Sequence, residues 1–230
     1  MENMCKSYVI AIDGEAGTGK STLAKNIAKK YGIVYMDTGA MYRCVTLDMI
    51  NNNISLEEIE KISILLDNIK IDMKNEDGED KFYLNGEDVS KKIREKQVND
   101  LVSQVSHIPV VRERMVDLQR KLAMGKKIVM EGRDIGTNVF PNAQAKIYLT
   151  ASAEERAKRR FEQNKEKGID ISYEEILKNV IFRDNNDKTS SVAPLKKAED
   201  AYELDTTNYS LEEVENLVVG YIRERIDLDD

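Results

Sequence analysis

The stretch Tyr8-Val9-Ile10-Ala11-Ile12-Asp13-Gly14-Glu15-Ala16-Gly17-Thr18-Gly19-Lys20-Ser21 decides how the rest of the chain is read. An apolar run rich in β-branched residues goes straight into an Asp-Gly turn, which is how a short buried strand ends. Gly14–Ser21 then satisfies G-x-x-x-x-G-K-[ST]. Glycines at this spacing let the backbone curl so that successive N–H groups face phosphate oxygens. Ser21–Tyr31 puts Leu23, Ile27 and Tyr31 on one stripe, so a helix follows and offers its positive dipole end to an anion. Lys20 can reach the β- and γ-phosphates of a nucleotide, and the Ser21 hydroxyl can ligate Mg²⁺.

Outward from this unit, four more short apolar runs appear: Ile33–Met36, Lys127–Met130, Lys146–Leu149 and Tyr202–Leu204. Such runs suit parallel strands buried on both faces. Four of the five end against polar or turn residues: Asp13-Gly14, Asp37-Thr38-Gly39, Glu131-Gly132-Arg133-Asp134 and Asp205-Thr206-Thr207. Helical patterns fall at Ser55–Ile69, Glu95–Met124, Ala153–Lys165, Ser172–Arg183 and Leu211–Ile226. The alternation predicts an α/β fold, an open five-stranded parallel P-loop sheet flanked by helices, with ligands at the carboxyl ends of the strands. About ninety residues separate the second strand from the third, far more than a crossover needs. Within them Ile69–Met73 and Lys81–Leu84 read as strands joined by the turn-rich Lys74–Asp80, and Asn85-Gly86 as a further tight turn. Arg156, Lys158, Arg159, Arg160, Lys165 and Lys167 make Ala153–Gly168 charge-dense, which by itself fits a solvated helix.

Composition narrows the partners. The chain has 230 residues, 41% apolar and 33% charged, enough for one domain with a real core. Lys and Arg number 35 against 42 Asp and Glu, and the resulting −7 argues against a broad duplex-nucleic-acid footprint while leaving a small anionic substrate open. A single histidine, His107, cannot build a His-rich zinc site. Cys5 and Cys44 lack metal-ligand spacing and read as reduced thiols. The opening MENMCKSYVIAIDG carries no signal-peptide pattern, and no run approaches the roughly 18 apolar residues of a membrane span. A soluble, cytoplasmic monomer is expected, with neither a nucleic-acid polymer nor a membrane as partner.

A phosphate loop serves both phosphotransferases and nucleotide-dependent switches. Switch GTPases carry D-x-x-G and N-K-x-D. None of the twelve glycines has Asp three residues earlier, and Asn164-Lys165-Glu166-Lys167 lacks the final Asp. A kinase acting on a phosphorylated acceptor needs a second set of cations, and the planar fork of arginine suits phosphate. Arg43 follows the second strand and Arg133 the third, both at strand carboxyl ends.

These residues carry a resemblance. IDGEAGTGKST, MDTGAMYR, LNGEDVS, EGRDIGTNVFPNAQAKIYLTASAEERAKRR and VAPLKKAEDAYELDTT resemble the bacterial cytidylate (CMP) kinases, of the nucleoside-monophosphate kinase group, from about Val9 to Ile226. The resemblance implies transfer of the γ-phosphoryl of ATP, with Mg²⁺, to CMP or dCMP. It implies one domain, residues 1–230, with a core at 1–62, 126–152 and 190–230. A monophosphate-binding insertion would lie at about 63–125 and a helical lid region at about 153–189. Lys20, Arg133, Arg183 and Arg159 would be catalytic. Gly14, Glu15, Ala16, Gly17, Thr18, Gly19, Lys20, Ser21, Thr22 and Arg156 would bind ATP, and Ser21 would share Mg²⁺ with phosphates and water. Thr38, Tyr42, Arg43, Arg133, Arg183 and Asp187 would hold the acceptor, while Ser103, Arg112 and Asp134 would read cytosine. On the residues alone, Ser103 also fits a helix cap, Arg112 an ion pair, Asp134 a turn cap and Asp187 a surface acid. His107 is assigned no catalytic role.

Two positions depart from the family pattern. Glu15 stands where relatives usually have Pro, and its side chain is expected to face solvent. Ser190 stands where relatives commonly have an arginine reaching the phosphates, a task expected to pass to Lys188 or a lid arginine. A small P-loop kinase for UMP, AMP or shikimate is the alternative acceptor class, and a nucleotide-dependent switch the alternative function.

Overall fold

Strand β1 (Tyr8–Gly14) is the spine of the computed structural model, which describes residues 7–76, 79–166, 168–190 and 192–228. It pairs in parallel with β6 (Lys127–Gly132) on one side and β7 (Ala145–Thr150) on the other, with Ile10 opposite Val129 and Ala145. Being covered on both faces, Ile10, Ala11 and Ile12 are fully buried, which is why the run does not alternate with polar residues. The second strand, β2 (Val34–Asp37), borders β6, and β8 (Tyr202–Asp205) pairs in parallel with β7. The order β2-β6-β1-β7-β8 is the expected open five-stranded sheet. Helices α1 (Lys20–Tyr31) and α8 (Leu211–Arg223) pack on it, α1 presenting Leu23, Ala24 and Ile27. Helices α6 (Ala153–Glu166) and α7 (Tyr173–Thr189) pair through Ala157, Ile176 and Val180, and Phe161 meets Tyr173 edge-on at 6.4 Å.

The chain falls into two compact units, Met1–Tyr35 with Ala123–Asp230, and Met36–Leu122. In the second unit, α2 (Thr38–Asn51) starts where the sequence reading placed only a turn, capped by the Asp37 carboxylate, which accepts from the Ala40 N–H at 2.8 Å. Ten of its fourteen residues are buried, so no polar stripe marks it as a helix. It packs against α3 (Ile59–Asn68), α4 (Lys96–Ser106) and β4 (Glu79–Leu84). The expected strand pair is present as β3 (Ile71–Glu76) antiparallel to β4, Met73 opposite Phe82. Asn85 and Gly86, at φ +52 and +90, form the mirror-image turn into the two-residue β5 (Glu87–Asp88).

The helix expected over Glu95–Met124 is two helices. Pro109 has no N–H to donate and disfavours helical backbone at Ile108, so α4 ends at Ser106 and α5 (Pro109–Ala123) begins on the proline. His107 closes α4, its N–H donating to the Gln104 carbonyl. Conversely, α7 runs six residues past the expected end at Arg183. Cys44 is a buried free thiol on α2, its pKa pushed up to about 12 mainly by burial. Cys5, residues 77–78 of the expected turn, Lys167 and Ser191 lie outside the described residues. Among the described residues no helix is long and apolar enough to cross a membrane.

Candidate active site

The phosphate loop begins where β1 has no room for a side chain. A Cβ on Gly14 would stand 2.0 Å from the Leu149 carbonyl oxygen, and φ there is +144. Gly19 caps α1 without a side-chain bond, and the first turn holds no acid, so the first N–H groups remain for a ligand. Lys20 folds back along the loop, its Nζ donating to the Glu15 carbonyl at 2.6 Å. It is only 6% exposed. Burial first, and then the Arg133 charge, lower its pKa to about 7 against the pull of Glu131, Asp13 and Glu15. An ammonium so desolvated gains from the arrival of phosphate charge. Beside it the Ser21 hydroxyl donates to Glu131 Oε2 at 2.8 Å, and the Tyr35 hydroxyl donates to Oε1 of the same carboxylate. The sequence reading named Glu131 only as a strand end. Its signal was an apolar run closing on an acid, and the pairing of Ile12 with Glu131 sets that acid beside the loop.

Helix α7 places Arg183, Asp184, Asp187 and Lys188 on its last turns. Asp187 accepts from Arg133 Nε at 2.8 Å, so these two expected acceptor residues are together. Asp184, which the sequence reading missed, takes both arms of Arg156 at 2.9 and 2.6 Å. Arg156 also donates to the carbonyls of Ala151 and of Ala16 in the phosphate loop. The guanidinium expected to meet ATP is thus committed to protein partners behind the loop. Arg159 donates to Glu155 and to the hydroxyl and carbonyl of Thr206, and the Thr206 hydroxyl is 3.3 Å from the Thr18 carbonyl. Arg183 lies half-buried on α7, one turn before Asp187.

After β6 the chain makes a π-type turn, Ile135–Val139, which Asp134 precedes. The Asp13 carboxylate anchors it, accepting from the Ile135 and Gly136 N–H groups at 2.8 and 2.7 Å. Burial raises the Asp13 pKa, and these two hydrogen bonds oppose the rise. Asp134 is buried, and its Oδ2 accepts from Asn138 Nδ2 at 3.1 Å.

In the second unit, the first two turns of α2 carry Thr38, Tyr42 and Arg43. Arg43 Nη2 donates to Asp37 Oδ2 at 3.1 Å, the same carboxylate that caps the helix. From α5, Arg112 sets its guanidinium 5.5 Å from the centre of the Tyr42 ring, a cation–π distance. Burial raises the Tyr42 pKa and the Arg112 charge opposes it. Ser103 is half-buried on α4.

The family model for cytidylate kinase matches residues 10–224. The chain belongs to the cytidylate kinase family. A cytidylate kinase of Fusobacterium nucleatum is 52% identical over 92% of this chain and 95% of its own. One of Halalkalibacterium halodurans is 46% identical over 96% of this chain and the whole of its own. Among solved structures, an uncharacterized protein from Eubacterium ventriosum shares the fold at a TM-score of 0.51 and 14% identity, covering 95% of this chain and all of that one.

Within this cytidylate kinase family chain, the expectation for Glu15 fails. Its side chain is not solvent-facing: the residue is 6% exposed, and Oε1 lies 3.0 Å from Lys188 Nζ. The loop turns the carboxylate inward, and the cation reaches it from the last turn of α7. Lys188 stands two residues before Ser190, whose hydroxyl instead donates to the Val192 carbonyl at 2.8 Å.

Proposed function

We propose that the protein transfers the γ-phosphoryl group of ATP to CMP or dCMP, yielding CDP or dCDP and ADP. The observation that carries this reading is the desolvated Lys20 inside a glycine loop, with Ser21 turned onto Glu131, in a chain of the cytidylate kinase family. Phosphoryl transfer asks chiefly for alignment of two phosphates and neutralisation of charge on the equatorial oxygens. In this reading the N–H groups of Gly14–Thr22 and Lys20 hold the ATP phosphates. Arg43 and Arg133 hold the acceptor phosphate, with Thr38 and Tyr42 against the nucleotide, Arg183 and Asp187 on its sugar, Arg183 also near the transferring phosphoryl group, and Arg159 approaching the donor. No general base is required of the lone histidine. Ser21 backed by Glu131 is a hard-oxygen pair that suits Mg²⁺, which when bound neutralises charge on the phosphate oxygens. Cytosine offers an amino donor with acceptors at N3 and O2. Asp134 accepting and Arg112 and Ser103 donating form the complementary set. Closure of the region about 153–189 over ATP would exclude water and limit hydrolysis. We further propose that the protein works as a cytoplasmic monomer, with the insertion at about 63–125 serving the acceptor.

A coupled ADP-release assay with CMP, dCMP, UMP, AMP, GMP and shikimate tests the reading. Turnover is expected with the cytidine nucleotides. Strong turnover with another acceptor overturns the specificity, and nucleotide binding without acceptor-dependent turnover favours a switch.

A further inference from the structure

Glu15 puts a carboxylate inside a loop built to collect anions, and leaving it charged and buried costs free energy unless a cation answers it. The answer is half complete. Oε1 meets Lys188, whereas Oε2 is buried and accepts no hydrogen bond among the described residues. The cation, by contrast, is half-exposed, with 51% of its side chain accessible, and sits on the last turn of α7. That helix is fastened by other contacts, Asp184 to Arg156 and Asp187 to Arg133. Lys188 can therefore leave Glu15 without undocking α7, and a flexible ammonium is suited to such a move.

We propose that Glu15 is a placeholder for the phosphate chain of the nucleotide: it holds Lys188 beside the phosphate loop, and Lys188 passes to a phosphate oxygen when ATP enters. The driving force is Coulombic, since a triphosphate brings several negative charges next to the carboxylate and outcompetes it. The inference rests on ATP being the nucleotide, and adds a phosphate-contacting residue and its partner in the free protein.

The probe is the Mg²⁺ complex of β,γ-imido-ATP, titrated by calorimetry without acceptor into the wild type, Lys188→Ala, Glu15→Gln and the double variant. Lys188→Ala should weaken binding by about five- to tenfold, and Glu15→Gln should tighten it by about two- to fivefold. Melting temperatures of the four proteins should show a coupling between the two sites without nucleotide that disappears at saturating analogue. A coupling that persists with analogue bound makes the pair purely structural and overturns the proposal, as does weaker binding in Glu15→Gln. If the wild type takes up no analogue, the nucleotide reading itself falls, an outcome distinct from either of these.

Discussion

Breaking the Arg156–Asp184 pair is the sharpest test of how the phosphate loop is supported. Both groups are withdrawn from water, Arg156 being 3% exposed, and the guanidinium makes two short bonds to the carboxylate. Asp184→Ala leaves a buried cation with only carbonyl partners, a loss worth about 3–5 kcal/mol. For a chain of this size, each kcal/mol lowers Tm by about 2–4 °C, so the fall should be about 6–20 °C. Replacing both members, as Arg156→Met with Asp184→Leu, removes the stranded charge and should recover stability to within about 2 kcal/mol of the wild type. Urea denaturation followed by circular dichroism reads all three proteins. A cost below about 1 kcal/mol for Asp184→Ala would refute the reasoning, because it would mean the pair is solvated in solution. The double variant also settles the job of Arg156. If it only braces the loop through Ala16, the stable double variant keeps most of its MgATP affinity. A loss beyond about tenfold, or about 1.4 kcal/mol, would make Arg156 a direct ATP contact.

Lys20, with a pKa of about 7, should be about 90% neutral at pH 8. Bound phosphate favours the charged form, so MgATP binding should take up nearly one proton at pH 8 and little at pH 6. Calorimetry in buffers of different ionisation enthalpy reads the uptake, Lys20→Met should abolish it, and its absence in the wild type at pH 8 would contradict the burial argument. Gly14→Ala drives a methyl into the Leu149 carbonyl and should cost more than about 3 kcal/mol in urea titrations; a stable variant would mean that β1 and β7 can separate locally. Glu131→Gln keeps its shape but weakens the hold on Ser21, so the Mg²⁺ concentration for half-maximal turnover should rise by about tenfold or more with little change in Tm. An unchanged Mg²⁺ requirement would take Glu131 out of the site.

Local pattern carried much of this protein. The five strands of the parallel sheet, three of them buried and the edge strands β2 and β8 partly exposed, the glycine loop and the amphipathic α1 were readable because each is written in a few consecutive residues whose apolar run or backbone freedom has one plain reading. Pro109 likewise held a local signal, and it divides α4 from α5. Helix α2 was not readable, because a helix buried nearly all round loses the periodicity that announces it. Residue type also told which groups could meet phosphate, Lys20 and the arginines among them.

What only the tertiary structure decided is which of those groups are free to act. Ser21 meets Glu131 across 110 residues because β6 lies beside β1. Arg156 is answered by Asp184, 28 residues away, because α6 packs on α7. Glu15 is turned inward onto Lys188 rather than out to water. A side chain's chemistry is local, but its charge is tuned or neutralised by whichever neighbour the path of the chain delivers within about 4 Å, and no short-range pattern encodes that neighbour.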